Sequence, residues 1–142
     1  MKIAFTSTEN SWDAKMDPRF GRTKYILVYD EENDAMETFD NSAIENEAHG
    51  AGPKTAQKLF DLNPDILITG NGPGGNAATV LEKAGVDIYI GAGEMTVKGA
   101  YENYKNGSLQ KFLRIKPGGL WNTFQRYFTY LIIRLSLQVL YL

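Results

Sequence analysis

Hydrophobic positions along this chain follow two successive rhythms. In the first forty residues they come in short extended runs: Ile3-Ala4-Phe5, then Tyr25-Ile26-Leu27-Val28-Tyr29, then Met36-Glu37-Thr38-Phe39. The last two runs are separated by the acidic turn Asp30-Glu31-Glu32-Asn33-Asp34, a pattern that predicts an antiparallel hairpin and, with the first run, a meander. From Gly50 the spacing changes. Ala51, Thr55, Leu59 and Leu62 recur about one helical turn apart, with Pro53 in the first turn, where a missing N–H costs nothing, and Asn63-Pro64 as the stop. Residues 66–69 read as a buried strand and 77–84 as a helix with Val80, Leu81 and Ala84 on one face and Gly85 as its left-handed cap. Residues 88–90 read as another strand, and 96–104 as a helix with Val97, Ala100, Tyr101 and Tyr104 as its apolar side, ended by Asn106-Gly107. The predicted order is β-β-β-α-β-α-β-α, an α/β fold with a mixed sheet and helices on its faces.

In an open sheet of this kind ligands sit beyond the carboxyl ends of the parallel strands, where two glycine turns are expected. One is Gly70, Asn71, Gly72, Pro73, Gly74 and Gly75; the other is Gly91-Ala92-Gly93. A strand that empties into glycines and then into a helix leaves amide N–H groups unpaired at a helix start, where the helix dipole also favours negative charge. No Lys-Ser/Thr pair follows the first turn, so it is not a P-loop. A tight turn alone can also demand glycine, without any ligand.

Composition narrows the chemistry. The 142 residues suffice for one domain with a single core and include no cysteine, which removes disulfides, thiolate-held zinc or iron–sulfur clusters and cysteine nucleophiles. Residues 1–112 carry 11 Lys and Arg against 17 Asp and Glu, a balance of −6, whereas residues 113–142 carry four basic residues and no acid. An acidic body argues against nucleic acid as a partner. The amino terminus leads directly into the first strand, with no charged and apolar leader ahead of it, so the expected location is cytoplasmic.

Further candidates lie in and beyond the glycine turns. The long loop after the first strand holds Asp17-Pro18-Arg19-Phe20-Gly21-Arg22; Arg19 and Arg22 either present planar donors to an oxyanion or pair with Asp17 to pin the loop. His49, the single histidine, precedes Gly50-Ala51-Gly52 and is open to reading as a metal ligand, a proton carrier or a first-turn residue. Asn71 and Asn76 either donate to a ligand or support turn and cap. Asp13, Asp17, Glu45 and Glu47 make a poor metal set, being solvated and scattered, and no Ser-His-Asp arrangement is present.

Taken together, Asp17-Pro18-Arg19-Phe20-Gly21-Arg22, His49-Gly50-Ala51-Gly52, Gly70-Asn71-Gly72-Pro73-Gly74 with Ala77, Ala84-Gly85-Val86-Asp87-Ile88-Tyr89, and Tyr104-Lys105-Asn106-Gly107-Ser108-Leu109 resemble the dinitrogenase iron–molybdenum cofactor biosynthesis family. That family includes NifX, the carboxyl-terminal domain of NifB and small stand-alone proteins of the orange-protein kind. The resemblance covers residues 1–112. It implies a ribonuclease H-like three-layer fold serving as a non-enzymatic carrier or scaffold for an anionic molybdenum- or iron-containing sulfur cluster, held without covalent iron–sulfur ligation, with cluster-assembly proteins as partners. Carried over to this sequence, the pocket is formed by Arg19, Phe20, Arg22, His49 and Gly70, Asn71, Gly72, Pro73, Gly74 and Gly75, with His49 as one labile metal ligand. A different class of function, a small-molecule enzyme or sensor for a phosphorylated metabolite or nucleotide, would use the same glycine turn. A hydrolytic nuclease needs acids at the strand ends, and these strands offer none.

Residues 113–142 depart from the family pattern. They run through Lys116-Pro117-Gly118-Gly119 into residues 120–142, rich in aromatic and aliphatic residues, of which 127–142 are too short and, with Arg134 in their midst, too charged for a membrane span. Two readings stay open: an interfacial amphipathic helix carrying Arg126 and Arg134, or a frameshifted or read-through terminus. An exposed tail of this composition would promote homo-oligomers.

Overall fold

A computed structural model describes residues 1–113 together with 127, 128, 131 and 132. The chain divides into two compact units, Met1–Phe112 and Leu113–Leu142. In the first unit the strands are β1 (Lys2–Ser7), β2 (Tyr25–Asp30), β3 (Ala35–Asp40), β4 (Ile66–Ile68), β5 (Asp87–Ile90) and β6 (Gln110–Lys111). The helices are α1 (Ser42–Glu45), α2 (Ala51–Leu62), α3 (Gly75–Lys83) and α4 (Val97–Lys105). The sheet runs β3-β2-β1-β4-β5-β6. β1 pairs antiparallel with β2 and β2 with β3, which is the expected meander. β1, β4 and β5 are parallel, and β6 closes the edge antiparallel to β5.

Alternation along the strands sets the layers. Ala4, Ile26, Val28, Leu67 and Ile88 face one side, against Ala56 and Leu59 of α2 and Ala77 and Leu81 of α3. Ile3, Phe5, Leu27, Ile66 and Ile68 face the other, against Val97 and Ala100 of α4 and Ala14, Met16 and Ala92 from loops. Each fully buried Leu contributes about 1.5–3 kcal/mol of burial free energy. The result is the expected mixed sheet between helical layers.

Two elements correct the predicted order. α1 is a four-residue turn and β6 a two-residue pair of polar, exposed residues, so neither carries a hydrophobic period long enough to read. The stops behave as the residues demand: Asn63 (φ 50°) and Gly85 (φ 72°) take left-handed backbone after α2 and α3, and Gly107 (φ 78°) follows α4.

In the second unit Tyr127, Phe128, Leu131 and Ile132 are helical and exposed. The expectations placed on Arg126, Arg134 and the rest of residues 114–142 apart from these four lie outside the described residues. Among the described residues no helix is long and apolar enough to cross a membrane.

Candidate functional site

Because β1, β4 and β5 are parallel, the three loops that follow them leave the same edge of the sheet, and they touch there. The Asn71 N–H donates to the Pro18 carbonyl at 2.8 Å, and the Gly91 N–H to the Gly70 carbonyl at 2.9 Å. Below them the buried Thr6 hydroxyl donates to the Asp17 carbonyl at 2.8 Å and lies 3.0 Å from Thr69 Oγ1. A side chain could not replace Gly70: its Cβ would fall 2.6 Å from Pro18 Cα and 2.9 Å from Gly93 Cα. The arginine loop and both glycine turns therefore share one end of the molecule.

The start of α2 joins them through a second glycine contact. A Cβ on Gly21 would lie 2.8 Å from both Cα and N of Gly52, and one on Gly52 would lie 3.8 Å from the Ala77 methyl. Thr55 of α2 donates to the Gly21 carbonyl at 2.7 Å, while buried Asn41 donates to Thr55 Oγ1 at 3.1 Å and to the Thr23 carbonyl at 3.0 Å. Two helix N-termini thus stand side by side behind the arginine loop. Neither has a capping side chain: Gly50 precedes α2 with φ 76°, and Gly74 precedes α3 in extended backbone. The first intrahelical bonds are Lys54 N to Gly50 O and Ala78 N to Gly74 O, which leaves the amides of Ala51, Gly52, Gly75, Asn76 and Ala77 as orphan donors at the helix starts. Gly74 and Gly75 are exposed, with open space where a Cβ would stand.

The arginines do less for an incoming anion than their composition promises. Arg19 turns back on Asp17 in a forked pair, Nε to Oδ1 at 3.1 Å and Nη2 to Oδ2 at 3.0 Å, and Nη2 also meets Glu45 Oε1 at 3.2 Å. The Asp17 carboxylate, 1% exposed, further accepts the N–H groups of Arg19 and Lys24. These bonds, that from Asp17 foremost, raise the Arg19 pKa above its ordinary value. The loop-pinning reading of Asp17 and Arg19 is the one observed. Arg22 donates from Nη1 to the carbonyls of Glu45 (2.8 Å) and Glu47 (2.7 Å), so it holds the segment between α1 and α2. Phe20 is 4% exposed and packs in the core beside Ala77 and Leu81.

His49 is exposed, next to the left-handed Gly50. Among the described residues no group of three or more His, Cys, Asp or Glu is placed to hold a metal ion. Gly72 and Pro73 face inward: Pro73 is buried, and a Cβ on Gly72 would strike the Phe112 ring at 2.6 Å. Phe112, Thr6 and Thr69 belong to this end of the fold without a sequence signal that marks them, and Glu45 and Glu47, read in the sequence only as scattered acids, are tied to it by Arg19 and Arg22. One signal was available for the turn: Gly70, Gly72 and Gly75 keep the G-x-G-x-x-G spacing between a strand and a helix.

Comparison with protein-family models matches residues 1–107 to the dinitrogenase iron–molybdenum cofactor family. Among solved structures the chain resembles the apo form of the orange protein from Desulfovibrio gigas, with 31% identity, 82% of this chain and 96% of that one covered, and a TM-score of 0.75. It also resembles a NifB-like protein from Thermotoga, with 31% identity, 83% and 98% covered, and a TM-score of 0.69. A comparison with curated proteins finds no match.

Proposed function

Because the chain belongs to the dinitrogenase iron–molybdenum cofactor family, we propose that it carries an anionic molybdenum- or iron-containing sulfur cluster, or a precursor of one, as cargo in metallocofactor assembly. The observation that carries this reading is the pair of uncapped helix N-termini, α2 and α3, side by side at the end where the arginine loop and both glycine turns meet. Orphan amides and helix dipoles attract anions irrespective of their chemistry. A chain without cysteine offers a thiometallate no thiolate, so the grip is by charge and hydrogen bonds, and release needs no bond to break beyond one labile His49 contact. In this reading the amides of α3 cradle the cargo, Arg19 and Arg22 neutralise part of its charge, and His49 donates a hydrogen bond or serves as a single ligand. Cluster-assembly proteins are the partners, the setting is cytoplasmic, and residues 1–112 form the binding domain.

The test uses tetrathiomolybdate as probe, with inorganic phosphate and nucleotides as rival anions because of the G-x-G-x-x-G spacing. Specific binding raises the melting temperature in proportion to the logarithm of probe concentration over Kd. The decisive variant is Gly75→Pro. Proline at the first helical position removes one amide donor and keeps the helix, and the site has open space for it after an extended Gly74. Expected is a thermal shift with tetrathiomolybdate above that with phosphate or nucleotide, and about tenfold weaker binding in Gly75→Pro, the worth of one hydrogen bond to a charged group. A larger shift with a nucleotide would move the chain to the metabolite-binding reading. No shift with any anion would remove both.

A further inference from the structure

The second unit is built from residues unlike those of the first. Residues 113–142 hold Arg114, Lys116, Arg126 and Arg134 and no acid, against a balance of −6 over residues 1–112. Tyr127, Phe128, Leu131 and Ile132 are helical, and each is more than half exposed. Positions i, i+1, i+4 and i+5 lie on one side of a helix, so these four make one apolar stripe. In the sequence the same spacing of three and four continues to Trp121 and Phe124 before the stripe and Leu135 after it, while Asn122, Arg126 and Thr129 recur at the opposite phase.

We propose that this stripe, with the basic residues around it, is a docking surface for an anionic lipid bilayer, met at the level of the head groups and not spanned. The chain itself argues for lipid over protein. A second copy's tail brings the same four positive charges and no acid to pair with them. A second copy's first unit brings the opposite charge, but among its described residues only Met1 and Phe60 are exposed large hydrophobics, which is no apolar face to cover the stripe. An anionic bilayer supplies both requirements at once: acyl chains for the aliphatic residues and negative head groups for the four cations, with aromatic rings favoured at the boundary between them. Arg134, which makes a span costly, suits a segment that lies at the surface. The whole chain carries a net charge of −2, so its overall charge opposes such a surface and the attraction must come from the tail. The proposal is independent of the cargo reading, which concerns the first unit.

Vesicle co-sedimentation of the full chain tests this, with vesicles of phosphatidylcholine alone and vesicles of equal parts phosphatidylcholine and phosphatidylglycerol. Wild type is expected to bind the anionic vesicles and not the neutral ones, and to be released as salt is raised. This comparison needs no variant. Two double variants then separate the charged and apolar contributions. Arg126→Gln with Arg134→Gln should weaken binding about thirtyfold, at about fivefold for each basic residue near an anionic surface. Leu131→Gln with Ile132→Gln should weaken it at least about tenfold by removing apolar burial. Absence of wild-type binding to either vesicle, equal binding to both, or full binding by both double variants overturns the proposal. Self-association seen by light scattering, without vesicle binding, also overturns it and gives the stripe to a second copy.

Discussion

Gly70 shows how one missing methyl group determines whether the site exists. Its backbone does not require glycine, for its φ is not positive; what requires glycine is the approach of Pro18 Cα, Pro18 O and Gly93 Cα to where a Cβ would stand, between 2.6 and 3.0 Å. All three are backbone atoms, so no flexible side-chain end can swing away. Gly70→Ala must therefore push the arginine loop off the glycine turn, breaking the Asn71 to Pro18 hydrogen bond. We expect a loss of about 2–3 kcal/mol in chemical denaturation, the scale of overpacking a tight contact. Gly74→Ala is the control, because a Cβ there meets open space and the backbone is extended, and its change should stay within about 0.5 kcal/mol. Equal midpoints for the two variants would mean that the loops are not in contact at Gly70.

At the scale of elements, α4 is fastened to the β2–β3 turn by one carboxylate. Glu31 accepts from the Tyr101 hydroxyl at 2.7 Å and from Lys105 Nζ at 2.8 Å, two residues one helical turn apart, above edge-to-face contacts among Trp12, Tyr29 and Tyr101. The Lys105 bond first, and then the Tyr101 bond, hold the Glu31 carboxyl below its ordinary value of 4.5, and the same contact pushes Tyr101 up to about 12. A carboxyl whose pKa is depressed in the folded state adds stability that is fully present above its unfolded pKa and disappears as pH falls through the folded one. Glu31→Gln should therefore cost about 0.5–1 kcal/mol at pH 7, with the gap to wild type closing below about pH 4. Melts of both proteins at pH 7 and pH 3 check this, and a gap as large at pH 3 as at pH 7 would contradict it. Elements of this length were legible in the sequence because Asn63-Pro64, Gly85 and Asn106-Gly107 end periods that the apolar residues had set. α1 and β6 were not, being too short to have a period. The site was legible by residue type and not by partnership: glycines and arginines can be read along the chain, but the bonds of Arg19 to Asp17 and of Arg22 to two carbonyls depend on where distant segments are brought. Phe20 is the plainest case, a neighbour of both arginines whose ring belongs to the core shared by α2 and α3.

For the whole molecule the question is which part of the chain the fold needs. The orange protein is matched over 96% of its length by 82% of this chain, and the family match spans residues 1–107. The boundary is drawn finely by Phe112. Its N–H donates to the Ile88 carbonyl at 2.7 Å and its ring closes over Gly72, while Lys111 just before it pairs with Asp87 at 3.2 Å. A chain ending at residue 112 keeps β6, that ring and every contact of the three converging loops described above. It should unfold in one cooperative transition with a melting temperature within a few degrees of the full chain, bind tetrathiomolybdate with the same affinity, and elute later from an anion exchanger, since its balance of charge is −6 where the full chain has −2. A chain ending at residue 109 loses β6 and the buried part of an aromatic side chain, about 1.5–3 kcal/mol, and uncovers the turn at Gly72. Its melting temperature should fall and its anion affinity with it. Matching melts for the two truncations would show that Phe112 does not support the turn, and loss of the cooperative transition in the longer one would place part of the fold beyond residue 112.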